Sequence, residues 1–426
     1  MLALIIVGAL MLCGYTDWQG VQCKHFAQKN SNRCVFHDTT ADPKKFLRHF
    51  QVLVSKKDGN WRGFNFPDLD ISHQKFDFDI DLSDSIFTNA NITQVEFCGN
   101  IDLKRAKFQR RLSLSGTRFR GFVELQESTF EGKVESNSII FSGYVNMSKI
   151  VARDDWQLGG KSESGINLNS SIFYKSAKFR GFRQVYMSTS GNNPPTEVNY
   201  LFMGESHIEN VNFVEPEKVS FNMVDFRKCY LSGTNLIGCN MINVLWPKIK
   251  NRSGLFQEIW ATEPFKTDIT FRESYAPVLE HTYREIRRSY ENNGDFITSN
   301  DFRIGEMQSK EIILNDRGER VTLFFVHFYG VICGYGTDIK QSVRVSSDLF
   351  VLYFITYFLA DAATSTKSAV TLLSGAASNY LSILSLQGLA AANTEPALYA
   401  ISCIMRLIMA ILISLMIISF RSTVRR

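Results

Sequence analysis

The sequence lacks the short motifs on which most enzyme classes depend. Its 426 residues contain no glycine-rich phosphate-binding loop, no His-Glu-x-x-His pair and no nucleophile elbow. The seven histidines are scattered along the chain. Prolines are few, at nine, and 45% of the residues are hydrophobic, which is not the composition of a disordered chain. We therefore expect a folded protein that is not an enzyme and has no cofactor.

A strong excess of charge is also missing. The formal net charge is +5, and residues 76–150 carry ten acidic and nine basic side chains. A DNA mimic needs a dense acidic surface, and a nucleic-acid groove needs a basic one. The eight cysteines show no dense disulfide framework. These absences exclude nucleic acid as an expected partner.

What the sequence does contain is a large apolar residue at every fifth or sixth position. A helix has a period of 3.6 and a strand a period of 2, so neither explains this spacing. A chain that turns a corner every five residues, and stacks its coils, does explain it. The alternative is an irregular β-sandwich, which would alternate with period 2. The predicted core ladder is Leu82, Phe87, Ile92, Phe97, Leu103, Phe108, Leu114, Phe119, Leu125, Phe130, Phe221, Phe226, Leu231, Leu236 and Met241.

The residue two positions before each ladder residue is small or branched, as in Ser85, Ala90 and Ala106. This unit resembles that of the pentapeptide-repeat family: a small residue, any residue, Leu or Phe, and two more. The resemblance covers about 170 residues. It implies a right-handed quadrilateral β-solenoid, in which backbone groups pair between coils about 4.8 Å apart. The pattern weakens after Phe141, and residues 180–210 are interpreted as an insertion.

These features divide the chain into four parts. Residues 1–75 are predicted to form an N-terminal segment and solenoid cap, and residues 76–247 the solenoid. Residues 248–320 are predicted to form a helical linker, and residues 321–426 a membrane module. Residues 1–13 are apolar and admit three interpretations: an export signal, an anchor or a start-site artefact. An export signal would place the solenoid outside the cell.

The N-terminal segment contains a candidate zinc site. Cys23-x-His25 and Cys34-x-x-His37 supply four ligands of the types that Zn²⁺ prefers. The alternative is a cap without metal, because the end of a solenoid exposes an unpaired edge that must be covered. The run from Cys34 to Asp38 also resembles the N-terminal segment of membrane-linked pentapeptide-repeat proteins.

Two apolar segments near the C-terminus, at about 345–363 and 397–420, are long enough to span a bilayer. Lys340 and Arg344 precede the first, and Arg421 follows the second. The positive-inside rule then predicts an integral protein of the inner or plasma membrane with a cytoplasmic solenoid. The alternative is that both segments are buried helices of a soluble domain.

The residues between these segments are rich in small and hydroxyl side chains, which allow close backbone approach around an axis. They are interpreted as a candidate pore loop or, alternatively, as a polar extracytoplasmic loop. Gly334-Tyr335-Gly336 copies the core of a potassium-channel filter, but it precedes the first predicted span and is read as a turn. The candidate pore-loop residues are Ser374, Gly375, Ser378, Gln387 and Gly388.

Residues 274–314 predict two helices separated at Asn292–Asp295, with Gly294 ending one and Asp295 capping the next. This stretch resembles the element that joins pentapeptide repeats to a two-span, ion-channel-like module in bacterial proteins. The composite resemblance implies an α-helical transmembrane hairpin after the linker. The matching residues are Tyr283, Arg284, Ile286, Arg287, Glu291, Gly294, Asp295, Phe302, Glu306 and Met307.

Two functions are compatible with this organisation. One is an oligomeric, ion-channel-like membrane protein that carries a solenoid. The other is a membrane-tethered solenoid scaffold that binds another protein along its flat faces. The expected partners are membrane lipid, further copies of the chain and a protein on the solenoid faces.

Overall fold

The computed structural model describes residues 11–17, 19–29, 31–185, 196–364 and 396–424. The chain divides into two compact units. The first comprises Met1–Asp268 together with Arg288–Asn293, and the second comprises Ile269–Arg287 together with Gly294–Arg426. The predicted boundary at 247/248 therefore falls inside the first unit.

The first unit is a β-solenoid whose strands pair in parallel with the coil before and the coil after. In the first coils, in-register partners are 21 or 22 residues apart, as in Ile80, Ile101 and Val123. One face of the coil forms a separate sheet of seven strands, with one strand from each successive coil. Its strands are β3 (Ile80–Asp81), β6 (Ile101–Asp102), β10 (Val123–Glu124), β13 (Val145–Asn146), β16 (Ile166–Asn167), β21 (Ser206–His207) and β24 (Cys229–Tyr230).

The other faces of the coil merge into one large sheet. Its first column of strands is β1 (Asn65–Asp70), β4 (Ile86–Asn91), β7 (Lys107–Phe108), β11 (Thr129–Phe130), β14 (Val151–Ala152), β17 (Ile172–Phe173) and β22 (Asn212–Phe213). A second column contains β8 (Leu112–Ser113), β12 (Val134–Phe141), β15 (Trp156–Ser162), β18 (Ala177–Arg180), β23 (Val219–Asn222) and β25 (Asn240–Ile242). A third contains β2 (Lys75–Phe76), β5 (Glu96–Phe97) and β9 (Arg118–Phe119), and continues onto β12.

Large apolar side chains fill the axis of the coil. All predicted ladder residues are buried except Leu114, which is half-buried. Phe66, Phe87, Phe108 and Phe130 stack face to face with centroids 4.7–4.9 Å apart. Where Ala152 interrupts this column, the indole of Trp156 packs edge-on against Phe130 at 4.9 Å and fills the space. This replacement is why the sequence pattern weakens after Phe141.

Small inward residues have a second role that the repeat pattern did not reveal. The Ser85 hydroxyl donates to the Trp61 carbonyl at 2.9 Å and accepts from the Phe64 N–H at 3.1 Å. Ser128 donates in the same way to the Leu103 carbonyl at 2.6 Å. A buried carbonyl at a corner of one coil is thus satisfied by a hydroxyl of the next coil.

The solenoid begins one strand earlier than predicted and contains the predicted insertion. Strand β1 pairs with β4, although the residues two positions before Phe66 and Ile71 are Phe and Leu rather than small. In the insertion, β19 (Phe182–Val185) and β20 (Thr196–Asn199) form an antiparallel pair. It lengthens one coil, so that Asn167 pairs with His207.

Both ends of the solenoid are covered by aromatic contacts. Helix α1 (Pro43–Ser55) packs Phe46 on Phe66 with a centroid distance of 5.3 Å, and Phe50 on Trp61 at 4.7 Å. At the other end, the indole N–H of Trp246 donates to the Tyr290 hydroxyl at 2.8 Å. The hairpin β26 (Lys248–Ile249) and β27 (Arg252–Ser253) and helix α2 (Phe256–Thr267) complete this unit.

The second unit is helical. Its helices are α3 (Ile269–Asn292), α4 (Phe296–Asp316), α5 (Arg320–Cys333), α6 (Ile339–Thr364) and α7 (Pro396–Val424). The last turn of α3, from Arg288, belongs to the first unit. As the sequence predicts, Gly294 has a φ of 79° and the Asp295 side chain caps α4 by accepting from the Thr298 N–H. Gly334–Gly336 is a short 3₁₀ turn between α5 and α6, and the Tyr335 hydroxyl donates to Glu311 at 2.9 Å.

The two segments predicted as membrane spans lie in α6 and α7. Among the helical residues that the structure describes, none forms a helix with the length and apolar content required to cross a bilayer. The structure therefore does not support the transmembrane hairpin expected from the sequence.

Candidate metal centre and candidate apolar surface

The N-terminal segment folds as a short ribbon that brings distant cysteines together. Antiparallel bridges join Leu12 to Phe26 and Thr16 to Gln22. The Asp17 carboxylate accepts from two backbone N–H groups in the turn of this ribbon, and Gly20 within it has a φ of 82°. Because the two arms lie side by side, the Cys13 and Cys23 side chains reach the same end of the solenoid.

A second element completes the cluster. The Cys34 carbonyl accepts from the His37 N–H at 3.1 Å, so Cys34-x-x-His37 is a tight turn. Within it, the Cys34 Sγ and His37 Nδ1 atoms are 3.1 Å apart. Cys13 Sγ lies 3.6 Å from the same nitrogen, and Cys23 Sγ lies 4.0 Å from Cys34 Sγ. The four ligand atoms of Cys13, Cys23, Cys34 and His37 all lie within 4.8 Å of one another.

The position of the His37 ring is fixed on three sides. Its Nε2 atom lies 3.1 Å from the Arg62 carbonyl, which can only accept, so Nε2 carries the proton and Nδ1 presents its lone pair. The Tyr15 ring stacks on the imidazole at 3.9 Å, and Phe64 meets it edge-on at 5.4 Å. The ring therefore points Nδ1 at the cysteine sulfurs.

The cluster differs from the predicted zinc site in one ligand. The His25 ring packs edge-on against Phe36 and Phe64 and does not belong to the cluster. Cys13 takes its place. Cys-x-His is a tight spacing for two ligands of one ion, whereas Cys13 becomes a neighbour only because the ribbon folds back. No local spacing in the sequence indicates that contact.

The sulfur atoms are polarised by their surroundings. A hydrogen bond from the Cys34 thiol lowers the pKa of Cys23, and the same contact together with burial raises the pKa of Cys34. The Cys13 Sγ atom accepts from the Cys34 N–H at 3.1 Å, and Cys23 Sγ accepts from the His25 N–H at 3.4 Å. None of the three cysteines forms a disulfide.

The outer surface of the solenoid is electrically balanced. Charged side chains pair between neighbouring coils, as Arg105 does with both carboxylate oxygens of Asp84 at 2.7 and 2.9 Å. Glu96 pairs with Lys75 on one side and Arg120 on the other. Such pairs place opposite charges side by side on neighbouring coils, in line with the near-equal numbers of acidic and basic residues in 76–150.

The helical unit, in contrast, exposes apolar side chains. On α5, Phe324 and Phe325 are 62% and 63% exposed. On α7, Leu407 is 66% exposed, although Met405 and Met409 on the opposite face are buried against α5 and α6. We call the exposed apolar side chains of α5, α6 and α7 the apolar surface; it consists of Val321, Phe324, Phe325, Phe328, Val331, Val343, Val351, Leu352, Ile355, Leu359, Ile404, Leu407, Ile411, Ile417 and Phe420.

The candidate pore-loop residues, Ser374 to Gly388, lie outside the described residues. The motif residues of the linker, by comparison, are brought together. Tyr283 and Ile286 are fully buried, and Glu306 accepts from Arg284 and Arg287. Comparisons of the chain with family models, with curated proteins and with solved structures find no match.

Proposed function

We propose that this protein is a non-enzymatic scaffold of the pentapeptide-repeat type that is attached to a lipid membrane through its helical unit. As part of this proposal, the coil is a right-handed quadrilateral β-solenoid, the form implied by the pentapeptide-repeat resemblance. Support for attachment comes from one observation above all: α5, α6 and α7 carry apolar side chains on their outer faces as well as on the faces buried between them.

Lipid is the occupant that this surface fits best. A helix that is apolar on all sides is either buried within a protein or surrounded by hydrocarbon. A second copy would cover one face of such a unit, whereas the apolar surface extends over three helices. From Leu407 to Phe420 the chain has no charged residue, and Arg421 follows at once. A basic residue at the edge of an apolar segment suits the head-group region.

We expect the purified protein to float with vesicles of phosphatidylcholine and phosphatidylglycerol and to resist alkaline extraction. Replacing both Leu407→Asp and Ile411→Asp places charges on the exposed face of α7. Since each charge within hydrocarbon costs about 3 kcal/mol, the floating fraction should fall more than about 100-fold. Val214→Asp, at an exposed apolar position of the solenoid, is the matched control and should float like the wild type. Equal flotation of the double variant, or a wild-type protein that stays unbound, would contradict lipid attachment.

A narrower form of the proposal is an oligomeric ion-channel-like protein with a cytoplasmic solenoid. It is favoured by the packing of Met405, Met409 and Leu412 of α7 with Tyr353 of α6, which makes these helices a pair. We expect cross-linked species of at least four subunits and ion flux from the purified protein in liposomes. Monomers without flux would leave the tethered scaffold, with a protein partner on the solenoid faces, as the function.

A further inference from the structure

We propose that Cys13, Cys23, Cys34 and His37 bind one Zn²⁺ ion as a structural site of the N-terminal cap. This inference does not depend on membrane attachment. It rests on four ligand atoms that converge from three separate places in the chain, where the sequence suggested a different set.

The distances fit a tetrahedral site. With Zn–S and Zn–N bonds of about 2.3 and 2.1 Å, tetrahedral angles place two sulfurs about 3.8 Å apart, and a sulfur and a nitrogen about 3.6 Å apart. The observed separations are 4.0 Å between the Cys23 and Cys34 sulfurs and 3.6 Å between Cys13 Sγ and His37 Nδ1. The Cys34 Sγ and His37 Nδ1 atoms, 3.1 Å apart, need to separate by about half an ångström, and the other three pairs of ligand atoms lie within 4.8 Å. Little rearrangement is therefore required to bind the ion.

The groups around the ligands are those that a zinc site uses. The Arg62 carbonyl holds His37 in the tautomer whose Nδ1 can coordinate the ion. Backbone N–H groups donate to the sulfurs of Cys13 and Cys23, which orients both side chains toward the cluster. Three thiolates and one imidazole complete the coordination, so no position is left for a substrate and the site is structural rather than catalytic. The same donor set is soft, which disfavours Mg²⁺ and Ca²⁺.

A disulfide explains less of the arrangement. It would join two of the three cysteines, and it would not explain why the third thiol and the oriented His37 ring lie beside them. A metal also explains how the ribbon is held in place. Apart from isolated bridges, the described residues between 11 and 42 form no strand or helix, and so have little regular structure to hold them together. Small segments of this kind are commonly ordered by a metal.

The site would fasten the ribbon to the first coil. His37 reaches the Arg62 carbonyl, and the Asn65 N–H donates to the Phe36 carbonyl at 2.7 Å where β1 begins. Arg62 in turn pairs with Asp17 of the ribbon turn at 2.7 Å and with Asp81 of β3, in the first coil, at 2.8 Å. Loss of the ion should thus loosen residues 11–38 and leave the later coils intact.

The test is the metal content of the purified full-length chain. The chain is first reduced, then incubated with ZnCl₂, and finally exchanged into metal-free buffer to remove unbound zinc. We expect about one zinc ion per chain to remain. Cobalt substitution should give the thiolate charge-transfer band and the intense ligand-field bands of a tetrahedral site. Cys13→Ser should weaken zinc binding more than about 100-fold, because even changes around the ligands cost 10- to 100-fold.

Two controls separate this site from the alternatives. His25→Ala should keep full zinc content, as should Cys98→Ser, which removes a cysteine outside the cluster. If a ligand variant fails to fold, alkylation of the wild type still decides the matter. Cys13, Cys23 and Cys34 should resist alkylation until zinc is chelated. A chain that takes up no zinc, a Cys23–Cys34 disulfide in its place, or a Cys13→Ser variant with unchanged zinc content would overturn the proposal.

Discussion

Replacing Phe108 with alanine is expected to destabilise the solenoid by about 3–5 kcal/mol, the cost of deleting a buried aromatic ring. Phe108 is 2% exposed and stacks between Phe87 at 4.7 Å and Phe130 at 4.9 Å. Each coil of a solenoid is stabilised chiefly by its neighbours, so the cavity weakens two coil interfaces at once. The midpoint temperature of thermal unfolding should fall by about 10 °C for a unit of this size.

Two matched variants test the reason for that loss. Phe108→Leu keeps the type of residue found elsewhere in the ladder, and should cost less than about 1.5 kcal/mol. Phe122→Ala removes a ring that is 38% exposed and stacks on Tyr144 from outside the coil, and should cost about 1 kcal/mol or less. If Phe108→Ala proved no more harmful than Phe122→Ala, the ladder would not be the core of this fold.

The ladder could be predicted because a corner every five residues imposes a period that no helix or strand shares. The first coil was missed because Phe64 occupies a position that is small or branched elsewhere in the repeat. Phe64 instead packs against Phe36 and Phe66, and Phe46 of α1 contacts Phe66 edge-on. The roles of Ser85 and Ser128 were also hidden, because a hydroxyl and a small apolar group are equivalent in a size pattern but not in hydrogen bonding.

The metal cluster was predicted only in part, for a related reason. Cys34 and His37 lie in one turn, and their local spacing is readable from the sequence. Cys13 meets them across a ribbon whose arms pair through backbone groups, and backbone pairing between irregular segments leaves little trace in side-chain identity. His25 was chosen instead because its residue type is correct, although its ring packs among phenylalanines.

In the helical unit, the sequence around residues 292–295 was sufficient to predict where α3 ends and α4 begins, but not how the two helices pack together. Gly294 and Asp295 carry the chemistry of a helix end and a helix start, so the break between α3 and α4 followed directly. The linker motif was read as a mark of family resemblance. The structure gives several of its members a physical role: Arg284 and Arg287 of α3 converge on Glu306 of α4.

Replacing Glu306 with glutamine is expected to destabilise the packing of α3 on α4 by about 3 kcal/mol. The carboxylate is 5% exposed and accepts from Arg284 Nε at 3.0 Å and from Arg287 Nε at 2.6 Å. Removing one member of a buried ion pair costs about 3–5 kcal/mol, because the remaining charge stays desolvated. The lower end of that range applies here, because water screens the third of the Arg284 side chain that is exposed.

Amide hydrogen exchange followed by mass spectrometry measures this effect within the helical unit alone. Protection of α3 and α4 should fall by about 100-fold in Glu306→Gln, since 1.4 kcal/mol corresponds to a factor of ten. Glu280→Gln is the matched control, because Glu280 is an i,i+4 partner of Arg284 on the same helix and such pairs contribute about 0.3–0.5 kcal/mol. Protection of the solenoid strands should be unchanged in both variants. Equal protection of α3 and α4 in the two variants would mean that the Arg284–Glu306–Arg287 cluster does not hold these helices together, and that shape packing around Tyr283 does so instead.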